Sequence, residues 1–182
     1  MPATAPDRVA QVSEAQADAM RLLRFNHEVL GQALALVAVH ELEGAPAFSK
    51  HAGGHVRHVI EHYETLLLRP GALVLEYDKR ARDRELERCT RLARARLQRL
   101  QLRLAECSPT TLARPIRVLT RAGCAGEFEI STQSTVAREL VFLASHAVHH
   151  FALLQIYCAQ HGLPVPANFG KAPATVAHEH YA

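Results

Sequence analysis

The chain has 182 residues, 21 Lys and Arg against 18 Asp and Glu, a formal net charge of +3, 48 % hydrophobic residues and no Trp. That length suits one domain with a core of its own, and the composition excludes a disordered or low-complexity chain. The positive balance is too mild to indicate a polyanionic partner by itself.

The opening residues, Met1-Pro2-Ala3-Thr4-Ala5-Pro6-Asp7-Arg8, offer neither a basic n-region nor an apolar h-region. No signal peptide is therefore expected, and residues 1–12 read as a flexible arm. A first helix is expected over residues 13–41, with Ser13 as N-cap and an apolar stripe of Leu22, Leu23, Leu30, Leu34 and Val37. A second begins near Gly54 and stops at Pro70-Gly71. Its inner stripe, His55, His58, His62 and Leu66, is polar for a core-facing surface. Burying imidazoles costs free energy unless each finds a partner, and a metal ion supplies one.

Residues 72–77 read as an extended connection, and a third helix is expected over 83–106 along Leu86, Ala93, Leu97, Leu100 and Leu104. Alternating residues 115–121 and 127–131 around a Gly-containing turn suggest a small β-hairpin. A fourth helix is expected over 134–161, ended by Gly162 and Pro164, and residues 163–182 read as an irregular tail. Four long helices with a long crossover between the second and third make an all-α four-helix bundle the expected fold, the hairpin lying between helices three and four. No apolar run approaches the about 18–20 residues that span a bilayer, so no membrane partner is expected.

Cys89, Cys107, Cys124 and Cys158 are scattered, without a C-x-x-C pair. Without a secretion signal, free thiols in a reducing cytoplasm are the default, so a cytoplasmic location is expected. Nine arginines fall between Arg80 and Arg103. They read first as the solvated face of a helix. A nucleic-acid surface is the lesser alternative, and the lack of interleaved aromatic residues speaks against nucleic acid as a partner.

Histidine is where chemistry concentrates, with 12 in the chain and two clusters, His55/His58/His62 and His146/His149/His150. At about 100° per residue, positions four apart lie about 40° apart around a helix. His58 and His62 share one face, as do His146 and His150, and two such helices can hold a divalent metal between them. Glu139 lies on the same face as His146, two turns earlier, placed either to accept from an imidazole N–H or to pair with Arg138.

The segments His55-Val56-Arg57-His58 and Ser145-His146-Ala147-Val148-His149-His150 resemble the signatures of the DinB-like (YfiT-related) metal-binding four-helix bundles. The resemblance extends over most of residues 13–162, and Phe169-Gly170-Lys171-Ala172-Pro173-Ala174-Thr175 is similar to a tail segment of some members. It implies His58, His146 and His150 as ligands of Zn²⁺, Ni²⁺ or Fe²⁺ with an open position. The implied activity is that of a metal-dependent enzyme, a hydrolase or thiol S-transferase, activating water or a small thiol cosubstrate toward a small-molecule substrate. His62 is then the candidate catalytic base, with His55 and His149 beside the ligands. A non-catalytic metal-binding or stress-response bundle is the alternative reading. An apolar surplus at residues 34–39, 141–144 and 151–154 adds a homodimer to the expectations.

Overall fold

The computed structural model describes the backbone of residues 5–181 and side chains from Glu14 onward. The chain order is α1 (Ala5–Val39), α2 (Ala52–Leu67), β1 (Val74–Glu76), α3 (Thr90–Ala105), α4 (Pro109–Ala113), β2 (Pro115–Ala122), β3 (Phe128–Thr135), α5 (Val136–Gln160) and α6 (Pro173–Tyr181). Single 3₁₀ turns stand at Phe48–Lys50 and Tyr77–Lys79.

Helices α1 and α2 each pack against both α3 and α5. Between them lie Leu30, Leu36, Ile60, Tyr63, Leu97, Leu100, Leu140 and Phe151, all essentially without solvent exposure. At about 25 cal/mol per Å² of apolar surface removed from water, this shared core is the main source of stability. Within it, the Tyr63 hydroxyl donates to Asn26 Oδ1 at 2.8 Å, and Asn26 Nδ2 donates to the Leu22 carbonyl at 2.9 Å. Those bonds satisfy polar atoms that would be costly to bury alone.

The expectation of an all-α fold is corrected. Among the described residues six helices accompany a three-stranded mixed sheet in the order β1-β2-β3. β2 and β3 pair antiparallel from Pro115↔Thr135 to Ala122↔Phe128, and β1 joins parallel to β2 through Leu75↔Val118. Within residues 72–77, expected only as an extended link, Val74–Glu76 form a strand that buries Leu75, as β2 buries Ile116 and Val118. β3 runs on to Thr135, whose side chain accepts from the Arg138 N–H and caps α5.

Other boundaries also move. Helix α1 already runs from Ala5 rather than being capped at Ser13, so most of the expected arm is helical, while residues 1–4 lie outside the described residues. α3 starts at Thr90, seven residues later than expected, because Cys89 caps it through Sγ, which accepts from the Leu92 N–H at 3.4 Å. Residues 84–88 instead form turns that bury Leu86 against α2. Gly53 permits that approach: a Cβ there would lie 2.0 Å from the Glu87 carbonyl oxygen. The tail is not wholly irregular, for it carries α6, and Phe169 within it is fully buried, stacked on Phe151 at 5.3 Å.

Among the described residues α5 alone is long and apolar enough to cross a membrane, although polar residues such as Ser145, His146, His149 and His150 interrupt its apolar stretches. Its buried side, Leu140, Leu143, Ala144, Ala147 and Phe151, faces the protein core.

Candidate metal centre

Helix α2 presents His55, His58 and His62, and α5 presents His146 and His150, where the two helices pack. His58 Nε2 lies 2.9 Å from His146 Nε2, which lies 3.2 Å from His150 Nε2. Among the described residues these three form a group whose ligand atoms all lie within 4.8 Å of one another. Metal–imidazole bonds of about 2.0–2.1 Å imply N···N separations of about 2.9 Å at octahedral angles and about 3.3 Å at tetrahedral ones. The His58–His146 and His146–His150 spacings, 2.9 and 3.2 Å, fall in that range.

The surroundings keep these rings neutral. Burial, followed by the neighbouring His62 and Arg80, lowers the His58 pKa to about 3. Burial first, with Arg80 and His146 adding to it, holds His62 at about 4. His150 is also lowered to about 4 by burial and by His146, and burial lowers His146 and His55. Neutral imidazoles are what a metal ion requires.

His55 stands outside the group of three and orients it. Its Nδ1 lies 2.8 Å from His150 Nδ1. With His55 accepting, His150 carries its proton on Nδ1 and leaves the Nε2 lone pair toward the cluster, the arrangement typical of a ligating histidine. His62, expected as a base, is 5 % exposed. Its Nδ1–H donates to the His58 carbonyl at 2.7 Å, so the lone pair is on Nε2, which meets Arg80 Nη1 at 3.3 Å. The ring stacks on Tyr77 at 5.4 Å.

Two neighbours expected at the site are elsewhere. Glu139 is buried but touches no imidazole: it accepts from the Tyr77 hydroxyl at 3.0 Å, the Ser134 hydroxyl at 2.6 Å and Arg138 at 3.1 Å. That environment raises the Tyr77 pKa, burial first and the Glu139 charge second. Glu139 thus fixes the aromatic ring that backs His62. His149 is exposed, its ring centre 5.9 Å from that of His150, and it faces an apolar groove with Phe25, Val141 and Pro173.

Arg80, expected on a solvated face, lies inside instead. Its side chain is 11 % exposed. Nη1 donates to the Tyr77 carbonyl, Nη2 approaches His58 Nδ1 at 3.3 Å, and Nε lies 3.8 Å from Glu61 Oε2. Several other arginines of the run are also paired: Arg94 with Glu41, Arg96 with Glu64 and Asp83, Arg103 with Glu106. On the opposite side, a cavity of about 360 Å³ opens onto the cluster, bordered by Lys50, Gly54, His55, Arg57, His58 and His150.

Comparison with known proteins corrects the DinB-like resemblance. No family model matches the chain, and no solved structure does. A curated relative, FK506-binding protein 5 from Rhizopus delemar, is 34 % identical over 105 residues, which is 58 % of this chain and 27 % of the relative. The chain thus spans about a quarter of that protein's length. The likeness found is to an FK506-binding protein and not to a DinB-like one. The reading of the chain as a metal-dependent DinB-like enzyme acting on water or a thiol loses its basis, as do its stress-response and nucleic-acid alternatives.

Proposed function

We propose that the chain holds one divalent transition-metal ion on His58, His146 and His150. The observation that carries this is the convergence of three Nε2 atoms, at 2.9 and 3.2 Å along the series, from two different helices. Three neutral imidazoles suit Zn²⁺, Ni²⁺ or Fe²⁺ better than the oxygen-seeking Mg²⁺ or Ca²⁺. The cavity beside Gly54 and His55 borders His58 and His150, so a small molecule entering it would come next to a bound ion. When bound, the ion would supply Lewis acidity there. The protein's own contribution is to fix three ring orientations, His150 through His55, and to shield His62 from water beneath Tyr77.

The test is elemental analysis of the purified chain with Co²⁺ titration followed by absorption. One equivalent with a ligand-field spectrum supports the reading, and no uptake at micromolar metal refutes it.

The relative favours a second reading, in which this chain takes part in binding an FK506-like macrolide. The groove of about 590 Å³ lined by Phe25, Val141, Val148, Ala152 and Pro173 is the apolar surface suited to such a ligand. Calorimetry with FK506, on the wild type and on Val148→Glu, tests it. Heat that the substitution abolishes supports the reading, and no heat with the wild type removes it.

A further inference from the structure

The outer nitrogens of two proposed ligands meet neighbours of opposite character. His150 Nδ1 faces His55 Nδ1, a ring nitrogen able to accept a proton's hydrogen bond. His58 Nδ1 faces Arg80 Nη2 at 3.3 Å. A guanidinium has five N–H donors and no acceptor, so this contact is a hydrogen bond only when His58 Nδ1 bears a lone pair. A neutral His58 then carries its proton on Nε2 and donates it to His146 Nε2, 2.9 Å away. That is the tautomer a metal ion cannot use. Ligation through Nε2 moves the proton to Nδ1 and sets N–H against N–H across 3.3 Å.

Resting on the metal-site reading above, we infer that Arg80 is a latch that holds the cluster in its metal-free tautomer and that metal entry displaces it. The displaced guanidinium has a destination. Glu61 is 3 % exposed; its Oε1 accepts from the Asp83 N–H at 2.7 Å, while its Oε2 has no hydrogen-bond partner among the described residues. Arg80 Nε, also without one, is 3.8 Å from that oxygen. A small movement toward Glu61 gives both atoms a partner and frees His58 Nδ1–H. Arg57 Nε, 3.9 Å from the same oxygen and also without a hydrogen-bond partner among the described residues, belongs to a side chain whose Nη1 is anchored on Glu87 at 2.6 Å.

Arg80 is thus a positioning residue that weakens metal affinity. Arg80→Met preserves chain length without a donor and should tighten Zn²⁺ or Co²⁺ binding about tenfold, the factor matching one unpaired hydrogen-bonding group. Proton-detected nitrogen NMR of the wild-type imidazoles needs no variant. Without metal at neutral pH, His58 should carry its proton on Nε2 and His62 on Nδ1, and one equivalent of Zn²⁺ should move the His58 proton to Nδ1. Equal or weaker binding by Arg80→Met overturns the latch while the metal site stands, and so does a metal-free His58 already protonated on Nδ1. Failure of both proteins to bind metal overturns the two readings together. Binding by Arg80→Met alone supports both.

Discussion

Gly162 and Gly170 allow a controlled measurement of how the tail is seated. Both adopt left-handed backbone, with φ of +63° and +70°. A Cβ on Gly162 would meet nothing within 4 Å, whereas one on Gly170 would fall 2.5 Å from the backbone of Phe151 and Ala152. Gly162→Ala therefore suffers only the cost of an L-residue in that conformation, about 1–2 kcal/mol. Gly170→Ala suffers the same cost plus that of forcing the tail off α5, where overpacking typically adds about 1–3 kcal/mol. The Gly170 N–H bond to Gln32 Oε1, 3.0 Å, and the stack of Phe169 on Phe151 would be strained with it. The expected pair of losses is about 1.5 and about 3.5 kcal/mol, read from urea midpoints at constant slope. Gly170→Ala should also expose the segment from residue 163 to limited proteolysis. Equal destabilisation by the two substitutions would refute the close seating of the tail on α5.

Alanine at His146 should remove most bound metal, because that Nε2 is the middle atom of the three, whereas His55→Ala should retain the ion with weaker affinity; stoichiometric metal in the His146→Ala protein excludes the assignment. Stability should depend on acid. The folded His62 pKa is about 4 against about 6.5 unfolded, so the unfolded chain binds more protons between those values. Stability is then full above about pH 6.5 and declines toward pH 4. The slope approaches about 1.4 kcal/mol per pH unit for one buried group, and the half-exposed rings add less because water screens them. Urea unfolding of the metal-free protein from pH 7.5 to 4.5 measures this, and a flat profile contradicts it. A homodimer through the outer face of α5 is expected from Val141, Leu153 and Ile156, which are 54 %, 49 % and 62 % exposed. Light scattering of the wild type at micromolar concentration should give twice the mass found for Ile156→Glu, and a monomer mass for both rules the dimer out.

What the sequence made legible were elements whose signal is local. Ile116 and Val118 alternate with outward-facing residues because one face of β2 is buried, and Gly162 ends α5 with the positive φ that its place after the last helical turn requires. Elements that depend on distant partners were not legible. β1 is three residues long and exists because β2 lies beside it. The start of α3 is set by Cys89, a weak cap by sequence preference, and by the room that Gly53 leaves for the turn before it. The apolar surplus at residues 34–39 is largely spent inside, with Leu36, Val37 and Val39 buried. On α5 the surplus is divided, with Leu143, Ala144, Phe151 and Leu154 buried and Val141 and Leu153 exposed.

At the site, the spacing of four residues put His58 near His62 and His146 near His150, but helical periodicity reports only a direction around an axis. It carries nothing about which nitrogen of a ring faces which neighbour. Glu139 shares the face of His146, yet two helical turns are about 11 Å of rise, and its carboxylate is taken by Tyr77 and Ser134 before it can reach a ring. Arg80 is the converse case. It sits in an arginine run whose other members lie on the outside or pair with carboxylates, and its neighbour Arg82 adopts a positive φ of 52° where the chain turns after the 3₁₀ segment. That turn follows β1, the strand that local sequence did not announce, and it carries the guanidinium under α2, against His58 and His62. The guanidinium beside the imidazoles therefore comes from the turn after β1, a strand that exists through its pairing with β2.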